Sequence, residues 1–231
     1  MHYRAVMLVL ASNNNEVYKH CRQVWKKYMH VDPTIRVYFV YGHLSEPLED
    51  QDEYDLIYPF HGGYPISIDR TVAAMRDIHT KVTYDFFIRT NLSTFWDFEK
   101  LHLHLNELPR RGCYSGDGPL PGYNAKGFYV SGTDTIVTPE MIHAMIHHLR
   151  WIDFHIVEDA AMGKFFHGIL KAPILPSRIY FFEDVTSVED PVEERIDLAR
   201  SQNKDHYRVK NVDRRMDAHI YKVLLQKLYN L

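Results

Sequence analysis

Tyr84-Asp85-Phe86-Phe87-Ile88-Arg89-Thr90-Asn91-Leu92-Ser93-Thr94-Phe95 is the stretch whose reading decides the fold. Phe86, Phe87 and Ile88 are bulky, apolar and uninterrupted, the pattern of a central strand covered on both faces. The run then turns polar at Arg89-Thr90-Asn91-Leu92-Ser93. A core strand that ends in a cation and several short oxygen-bearing side chains delivers those groups to the edge of its sheet. In open α/β sheets, ligands bind at the carboxyl ends of the strands. An arginine there suits a phosphate, because its planar fork is always charged and can bind two oxygens at once. A plainer reading stands beside this one: Arg89 pairs with a nearby carboxylate and Asn91 starts a turn. On this stretch alone both readings are open.

Working upstream, Ile68, Val72, Met75 and Ile78 make the buried stripe of a helix expected over about 66–82. Before it, Leu56-Ile57-Tyr58 reads as a short strand, and the acidic run from Glu46 to Asp55 as a solvated loop. Ile35 to Tyr41 is a second strand, ended by Gly42. A helix from Glu16 to about Met29 presents Val17, Cys21, Val24 and Tyr28 at helical spacing. The first strand is expected over Arg4–Leu10. The loop Ala11-Ser12-Asn13-Asn14-Asn15 follows, small and able to cap a helix.

Downstream, a helix is expected from Trp96 to Leu108, stopped by Pro109. Gly112 to Gly127 is rich in Gly and Pro, with a turn at Asp117-Gly118-Pro119. Phe128-Tyr129-Val130 is a short strand leading to Ser131-Gly132-Thr133-Asp134. Thr135-Ile136-Val137 is another strand. Thr138, Pro139 and Glu140 then read as N-cap, first helical position and first-turn acid of a helix running to about Leu149. Glu158 and Asp159 open a further helix, where acids favour the dipole. The tail from Val192 is charged and ends in an amphipathic helix, Met216 to Leu228, that docks on the body. Helices alternating with strands predict an α/β class with a mostly parallel central sheet flanked by helices, Rossmann-like in layout.

The 231 residues suffice for one large α/β domain with a sizeable core, or at most two small ones. Net charge is −3, without the basic excess of a non-specific nucleic-acid binder. Cys21 and Cys113 offer neither a disulfide framework nor metal spacing and fit a reducing compartment. The apolar run Ala5–Ala11 is too short to span a membrane; it could imitate a small signal-peptide core behind Arg4 and reads equally well as a first strand. A protein working in the cytoplasm is the expectation.

In this order the motifs resemble those of nucleotide-sugar glycosyltransferases of the GT-A fold. The layout is similar to the β1,3-glycosyltransferases and to small virus-encoded glycosyltransferases, over most of the chain up to about Leu170. Asp55-Leu56-Ile57 and then Arg70-Thr71 match the family's acidic loop, short strand and helix carrying a Lys-Thr pair. Phe86 to Thr90 match its aromatic strand with a basic residue and Thr. Ser131-Gly132-Thr133 match its Ser-Gly-Gly strand. Glu158-Asp159-Ala160-Ala161-Met162-Gly163 match its Glu-Asp-Val-x-x-Gly. Where the family has a metal-binding Asp-x-Asp run, this chain has Asn91-Leu92-Ser93, neutral oxygens in place of carboxylates.

The resemblance implies transfer of a sugar from a nucleotide diphosphate sugar, a UDP-sugar in particular, to a hydroxyl of a glycan or glycoprotein. Asp159 would be the catalytic base with Glu158 beside it. Ala11, Ser12, Asn13, Arg70, Arg89, Thr90, Asn91 and Ser93 would hold the donor. Gly132, Thr133 and Asp134 would face donor sugar or acceptor, though Asp134 reads equally as a turn residue with local hydrogen bonds. Mn²⁺ or Mg²⁺ would be held weakly by Asn91 and Ser93, with Arg70 and Arg89 supplying part of its charge and the diphosphate oxygens doing most of the holding. His167, His206 and His219 lie downstream, where this fold sometimes supplies a histidine to the metal. One domain is expected over 1–231: a nucleotide-binding half, 1–95; a sugar and acceptor half, 96–190; and a helical tail, 191–231. In a virus the setting would be the host cytoplasm, with no nucleic-acid partner and no membrane span. A sugar-nucleotide pyrophosphorylase would want a glycine-rich loop after the first strand, and Ala11–Asn15 has none. A catalytically inactive sugar- or nucleotide-binding module of the same fold is the competing reading.

Overall fold

The computed structural model describes residues 1–44, 46–59, 67–122 and 127–231. In chain order the elements are β1 (His2–Leu10), α1 (Glu16–Tyr28), β2 (Ile35–Tyr41), β3 (Asp55–Ile57), α2 (Ile68–Lys81), β4 (Thr83–Asn91), β5 (Thr94–Trp96) and α3 (Phe98–Glu107). There follow β6 (Tyr114–Gly116), β7 (Leu120–Pro121), β8 (Phe128–Tyr129), β9 (Asp134–Val137), α4 (Pro139–His147) and α5 (Glu158–Gly163). Last come β10 (Ile174–Pro176), β11 (Ile179–Phe182), α6 (Val192–Ser201), β12 (His206–Val209) and α7 (Arg215–Tyr229). These elements gather into two compact units, each assembled from separate stretches of the chain.

The first unit takes Met1–Asn13, Thr34–Asn91 and Pro109–Ser177. Among the described residues seven strands form its main sheet, in the order β10-β6-β9-β4-β1-β2-β3. β1 pairs in parallel with both β2 and β4, β2 with β3, and β6 with β10. Only β9 runs against its neighbours, β4 and β6. The sheet is therefore α/β and mostly parallel, as the alternation of helices and strands predicts. Phe86, Phe87 and Ile88 are fully buried in β4. Val6 and Leu8 of β1, Val40 of β2 and Phe87 of β4 pack in one core cluster with Val72, Met75 and Ile78 of α2 and with Met141, Ile142 and Met145 of α4.

The strand order has one functional consequence. From β1 the chain moves outward through β2 and β3, and then returns to place β4 on the other side of β1. The strand order thus reverses between β1 and β4, and such a switch point opens a crevice at the carboxyl ends. Leu10 and Asn91 stand side by side there.

The second unit takes Asn14–Pro33, Leu92–Leu108 and Arg178–Leu231. Its sheet runs β11-β12-β5. Asn15 caps α1 by accepting from the Tyr18 amide at 3.0 Å, and Asp97 caps α3 by accepting from the Lys100 amide at 3.2 Å. The Tyr28 ring lies against Phe95 at 4.2 Å and Tyr229 at 5.2 Å. Buried Asp205 takes His104 Nδ1 at 2.5 Å and His206 Nδ1 at 2.6 Å. Burial pushes the Asp205 carboxyl up, but the two imidazoles outweigh it and hold it down at about 2.

Several boundaries differ from the sequence reading. Thr94-Phe95-Trp96 is not the start of a helix but an edge strand, because β12 offers it a partner; α3 begins at Phe98. The helix expected from 66 begins at Ile68, and its expected first residues lie outside the described ones. Part of the Gly/Pro-rich stretch is strand, in β6 and in the β7–β8 hairpin, and 123–126 lie outside the described residues. The helix opened by Glu158 and Asp159 gives way after Gly163 to a π-helical turn, Lys164–Ile169. Thr138 stands at the N-cap of α4 but makes no bond to an amide of that helix; its hydroxyl donates to the Glu140 carboxylate at 2.6 Å and accepts from the Cys113 amide at 3.2 Å.

Gly163 marks a close approach between α5 and β8. A Cβ there would lie 2.2 Å from the Tyr129 Cβ and 2.7 Å from its Cα, too close without backbone movement. Gly163→Ala is expected to destabilise the protein by about 1–3 kcal/mol, as overpacking does. Urea denaturation measures this, and an unchanged midpoint would show that β8 yields freely.

Candidate active site at the switch point

Arg89 is the residue through which this site is assembled. It stands near the end of β4 and is 5% exposed. Its Nε donates to Glu158 Oε1 at 2.9 Å and its Nη2 to Glu158 Oε2 at 2.8 Å, a two-pronged pair. Nη1 donates to Asn91 Oδ1 at 3.1 Å and to the Gly132 carbonyl. Glu158, 3% exposed at the start of α5, also accepts from Ser67 Oγ at 2.7 Å and Thr71 Oγ1 at 2.8 Å. Burial alone would raise the Glu158 carboxyl. The Arg89 charge and hydrogen bonds, joined by the two hydroxyls, outweigh it and hold the group below the usual glutamate range.

Four chain segments meet in this network: the end of β4, the Ser131–Asp134 loop, the first turn of α5 and the N-terminus of α2. Ser67 stands at the N-cap of α2 but makes no cap bond, because its hydroxyl serves Glu158. Ser67 and Thr71 were not predicted as site residues. Their i, i+4 spacing at the start of a helix puts both hydroxyls on one face, and that was the available signal.

Asp159, next to Glu158, lies differently. It is half-buried; Oδ2 accepts from the Gly132 amide at 3.3 Å and Oδ1 from the Ala160 amide at 3.0 Å. Arg70 is also half-buried, and its buried Nε finds no partner among the described residues. Burial and then the Arg89 charge lower Arg70, while Glu158 pulls it up; the net direction is down. One guanidinium nitrogen with no acceptor among the described residues and one half-buried carboxylate therefore border the same buried ion pair. A cation so placed can take an anionic ligand, and such a carboxylate can take a proton.

The remaining expected residues divide. Ala11 is buried after β1, with its amide on the Val40 carbonyl at 2.9 Å. Ser12 is half-buried, and Asn13 Nδ2 donates to the Glu46 carbonyl at 3.2 Å. Thr90 Oγ1 donates to the Thr133 carbonyl at 2.6 Å, tying β4 to the loop before β9. Thr133 Oγ1 and the Asp117 amide donate to Asp134 Oδ1 at 2.9 and 3.0 Å, and Ser177 Oγ bonds Oδ2. Asp134 is 1% exposed, and its hydrogen bonds reach its neighbour and segments 17 and 43 residues away. Ser93 belongs to the second unit, where Arg208 Nη1 donates to its hydroxyl at 2.5 Å. His167 Nδ1 lies 2.9 Å from the Ala172 carbonyl, and His206 is bound to Asp205.

The fit to a divalent ion can be judged from these bonds. Asn91 Oδ1 and Ser93 Oγ are neutral oxygens, and each already faces an arginine. A hard cation wants anionic oxygens free of competing cations. Asn91 and Ser93 do not fit Mn²⁺ or Mg²⁺. Among the described residues no group of three His, Cys, Asp or Glu side chains could hold a metal ion.

No protein-family model matches this chain, and no curated protein does. Solved structures do. A glycosyltransferase involved in glycosylation of the major capsid of PBCV-1 superposes with a TM-score of 0.50 at 9% identity, over 94% of this chain and 99% of its own. The galactosyltransferase LgtC, in complex with donor and acceptor sugar analogues, superposes with a TM-score of 0.50 at 12% identity, over 100% and 97%. A mannosyltransferase from Pyrobaculum calidifontis, in complex with GDP-mannose and Mn²⁺, gives 0.49 at 11% over 88% and 62%. The likeness is one of fold: this chain has the GT-A glycosyltransferase fold.

Glu158→Gln would leave Arg89 buried opposite a neutral amide. Breaking a buried pair in this way is expected to remove about 3–5 kcal/mol of stability. The folded carboxyl lies below its unfolded value, so its contribution is complete above that value and is lost as pH falls through the folded one. Stability of the unaltered protein should therefore drop on acidification below the ordinary glutamate value of 4.5, and less steeply in Glu158→Gln. Parallel acid curves for the two proteins would contradict the ionised pair.

Proposed function

We propose that this chain is a glycosyltransferase that moves a sugar from a nucleotide diphosphate donor, a UDP-sugar, to a hydroxyl of a glycan or glycoprotein. What carries the reading is the Arg70 guanidinium and the Asp159 carboxylate beside one buried ion pair, at the switch point of a GT-A sheet. Rupture of the sugar–nucleotide bond builds negative charge on the leaving diphosphate. Arg70, with a buried nitrogen that has no acceptor among the described residues, is the cation assigned to it. Asp159 takes the proton of the attacking hydroxyl, and the Gly132 amide holds the carboxylate in place. Arg89 and Glu158 are positioning residues, because their charges answer each other. Ala11, Ser12 and Asn13, at the end of β1, border the nucleoside. Gly132 and Thr133 border the donor sugar or acceptor.

No step is assigned to a divalent ion, since the oxygens at 91 and 93 do not fit one. Among the described residues no helix is long and apolar enough to cross a membrane. Buried free Cys21 and Cys113 agree with a reducing cytoplasmic setting. One observation favours a second reading, an inactive binding module: the positions of the family's metal carboxylates carry Asn91 and Ser93, each already bonded to an arginine.

Two measurements separate these readings. Asp159→Asn is expected to cut turnover by roughly 10²–10⁴ while the melting temperature changes little, since the Asn Oδ1 can still accept one of the two backbone bonds, from the Gly132 or the Ala160 amide. An inactive module would show no donor turnover in either protein. Arg70→Ala should weaken binding of UDP by about 1.5–3 kcal/mol, the contribution of a charge-assisted contact. Calorimetry with the diphosphates of uridine, guanosine and cytidine checks both the loss and the base; equal binding of all three would reject uridine.

A further inference from the structure

A shallow concave site lies along the chain that leads into α5. It has a volume of about 250 Å³ and is lined by Arg150, Trp151, Asp153, Phe154, His155 and Lys164 among others. That is below the roughly 300–1,000 Å³ of sites for drug-sized ligands, so it suits one ring and not a whole nucleotide.

Trp151 dominates it. Trp25 and Trp96 are 1% and 0% exposed, whereas Trp151 is 40% exposed. The indole is held rigidly. Leu149–Trp151 is a 3-10 turn, and the Trp151 amide donates to the His148 carbonyl at 2.9 Å. In that geometry side chains at i and i+3 eclipse. The His148 ring accordingly stacks on the indole, centroids 4.5 Å apart at 16°. The Arg150 guanidinium lies 5.5 Å from the indole centroid.

The polar rim is equally defined. Lys164 Nζ donates to Asp153 Oδ2 at 2.9 Å, and the His155 amide to Asp153 Oδ1 at 3.1 Å. The carboxylate beside the lysine repels an anion entering there. A ring with an apolar C–H face and a rim of hydroxyls is the ligand that uses both features: indole for the face, Arg150, Asp153 and Lys164 for the hydroxyls. Lys164 is five residues beyond Asp159 on the same continuous helical segment, about 7.5 Å along the axis.

We infer that the Trp151 cavity is a saccharide subsite that binds a neutral pyranose unit of the acceptor glycan. The inference rests on the glycosyltransferase reading only for the word acceptor; the binding of a sugar ring does not need it. The ring packs on the indole face that the His148 ring leaves open, beside the Arg150 guanidinium.

The test uses the exposed indole as its own reporter. Methyl glycosides of glucose, galactose, mannose and N-acetylglucosamine are titrated into the intact protein while tryptophan emission is followed. Trp151→Phe supplies the baseline from the two buried indoles. At least one sugar is expected to quench or blue-shift the emission saturably, with no response in the Trp151→Phe baseline. Arg150→Ala and Asp153→Ala should weaken that sugar at least threefold each, measured by the same titration. If none of the four sugars changes the emission, the subsite is overturned, whether or not UDP binds at the switch point. If a sugar saturates the signal and UDP does not bind, the subsite stands and the transferase reading falls. Where transfer is measurable, Trp151→Ala should raise the acceptor KM at least tenfold relative to the donor KM. An unchanged ratio would overturn the acceptor assignment.

Discussion

The buried pair of Arg89 and Glu158 is the constraint from which the first unit's site follows. Two charges removed from water are a poor source of net stability, since desolvation offsets most of their attraction. They are a strong source of position. An unpaired charge in the interior is so unfavourable that arrangements separating the two are excluded. Arg89 comes from a central strand and Glu158 from the first turn of a short helix. Their bond fixes the depth and rotation of that helix. Ser67 and Thr71 on the same carboxylate fix the start of α2, and the Gly132 carbonyl on Arg89 fixes the loop before β9.

Neighbouring residues on a helix point about 100° apart, because 3.6 residues complete a turn. With Glu158 locked inward, Asp159 turns toward the surface, still within reach of the Gly132 amide. Two adjacent carboxylates thus acquire different roles through environment alone. Gly132 is suited to its place by the same crowding: a Cβ there would run into the Arg89 guanidinium. Its backbone touches both members of the arrangement, donating to Asp159 and accepting from Arg89.

Five strands of the main sheet, β1 to β4 and β9, were legible in the sequence because buried strands carry a strongly apolar signature; β6 and β10, three residues each, were not. Phe86–Ile88 and Ile35–Tyr41 need no partner to be recognised. In the second unit α1, α3 and α7 were legible from their helical spacing, but its sheet was not, for the converse reason. Thr94–Trp96 is three residues long, and its character as a strand comes from β12, far along the chain. Of the two readings of Arg89, pairing with a carboxylate is what the coordinates show. Sequence alone could not choose, because Glu158 reaches it only through the packing of α5. Trp151 carried no periodic signal, since its exposure follows from a single 3-10 turn.

The woven path of the second unit bears on how the protein comes into being. Its early segment contributes Trp25 and Tyr28, its middle segment Phe95 and Phe98, and α7 the Tyr229 ring that stacks on Tyr28 and Phe98. β5 finds its only described strand partner in β12. During synthesis these aromatics emerge long before the residues that cover them. Long-range pairing of this kind slows folding and leaves apolar surface exposed meanwhile. The nascent chain therefore passes through a stage in which the first unit's strands are already made while half of an aromatic core still awaits its lid, a window in which chaperones rather than the native fold govern its fate.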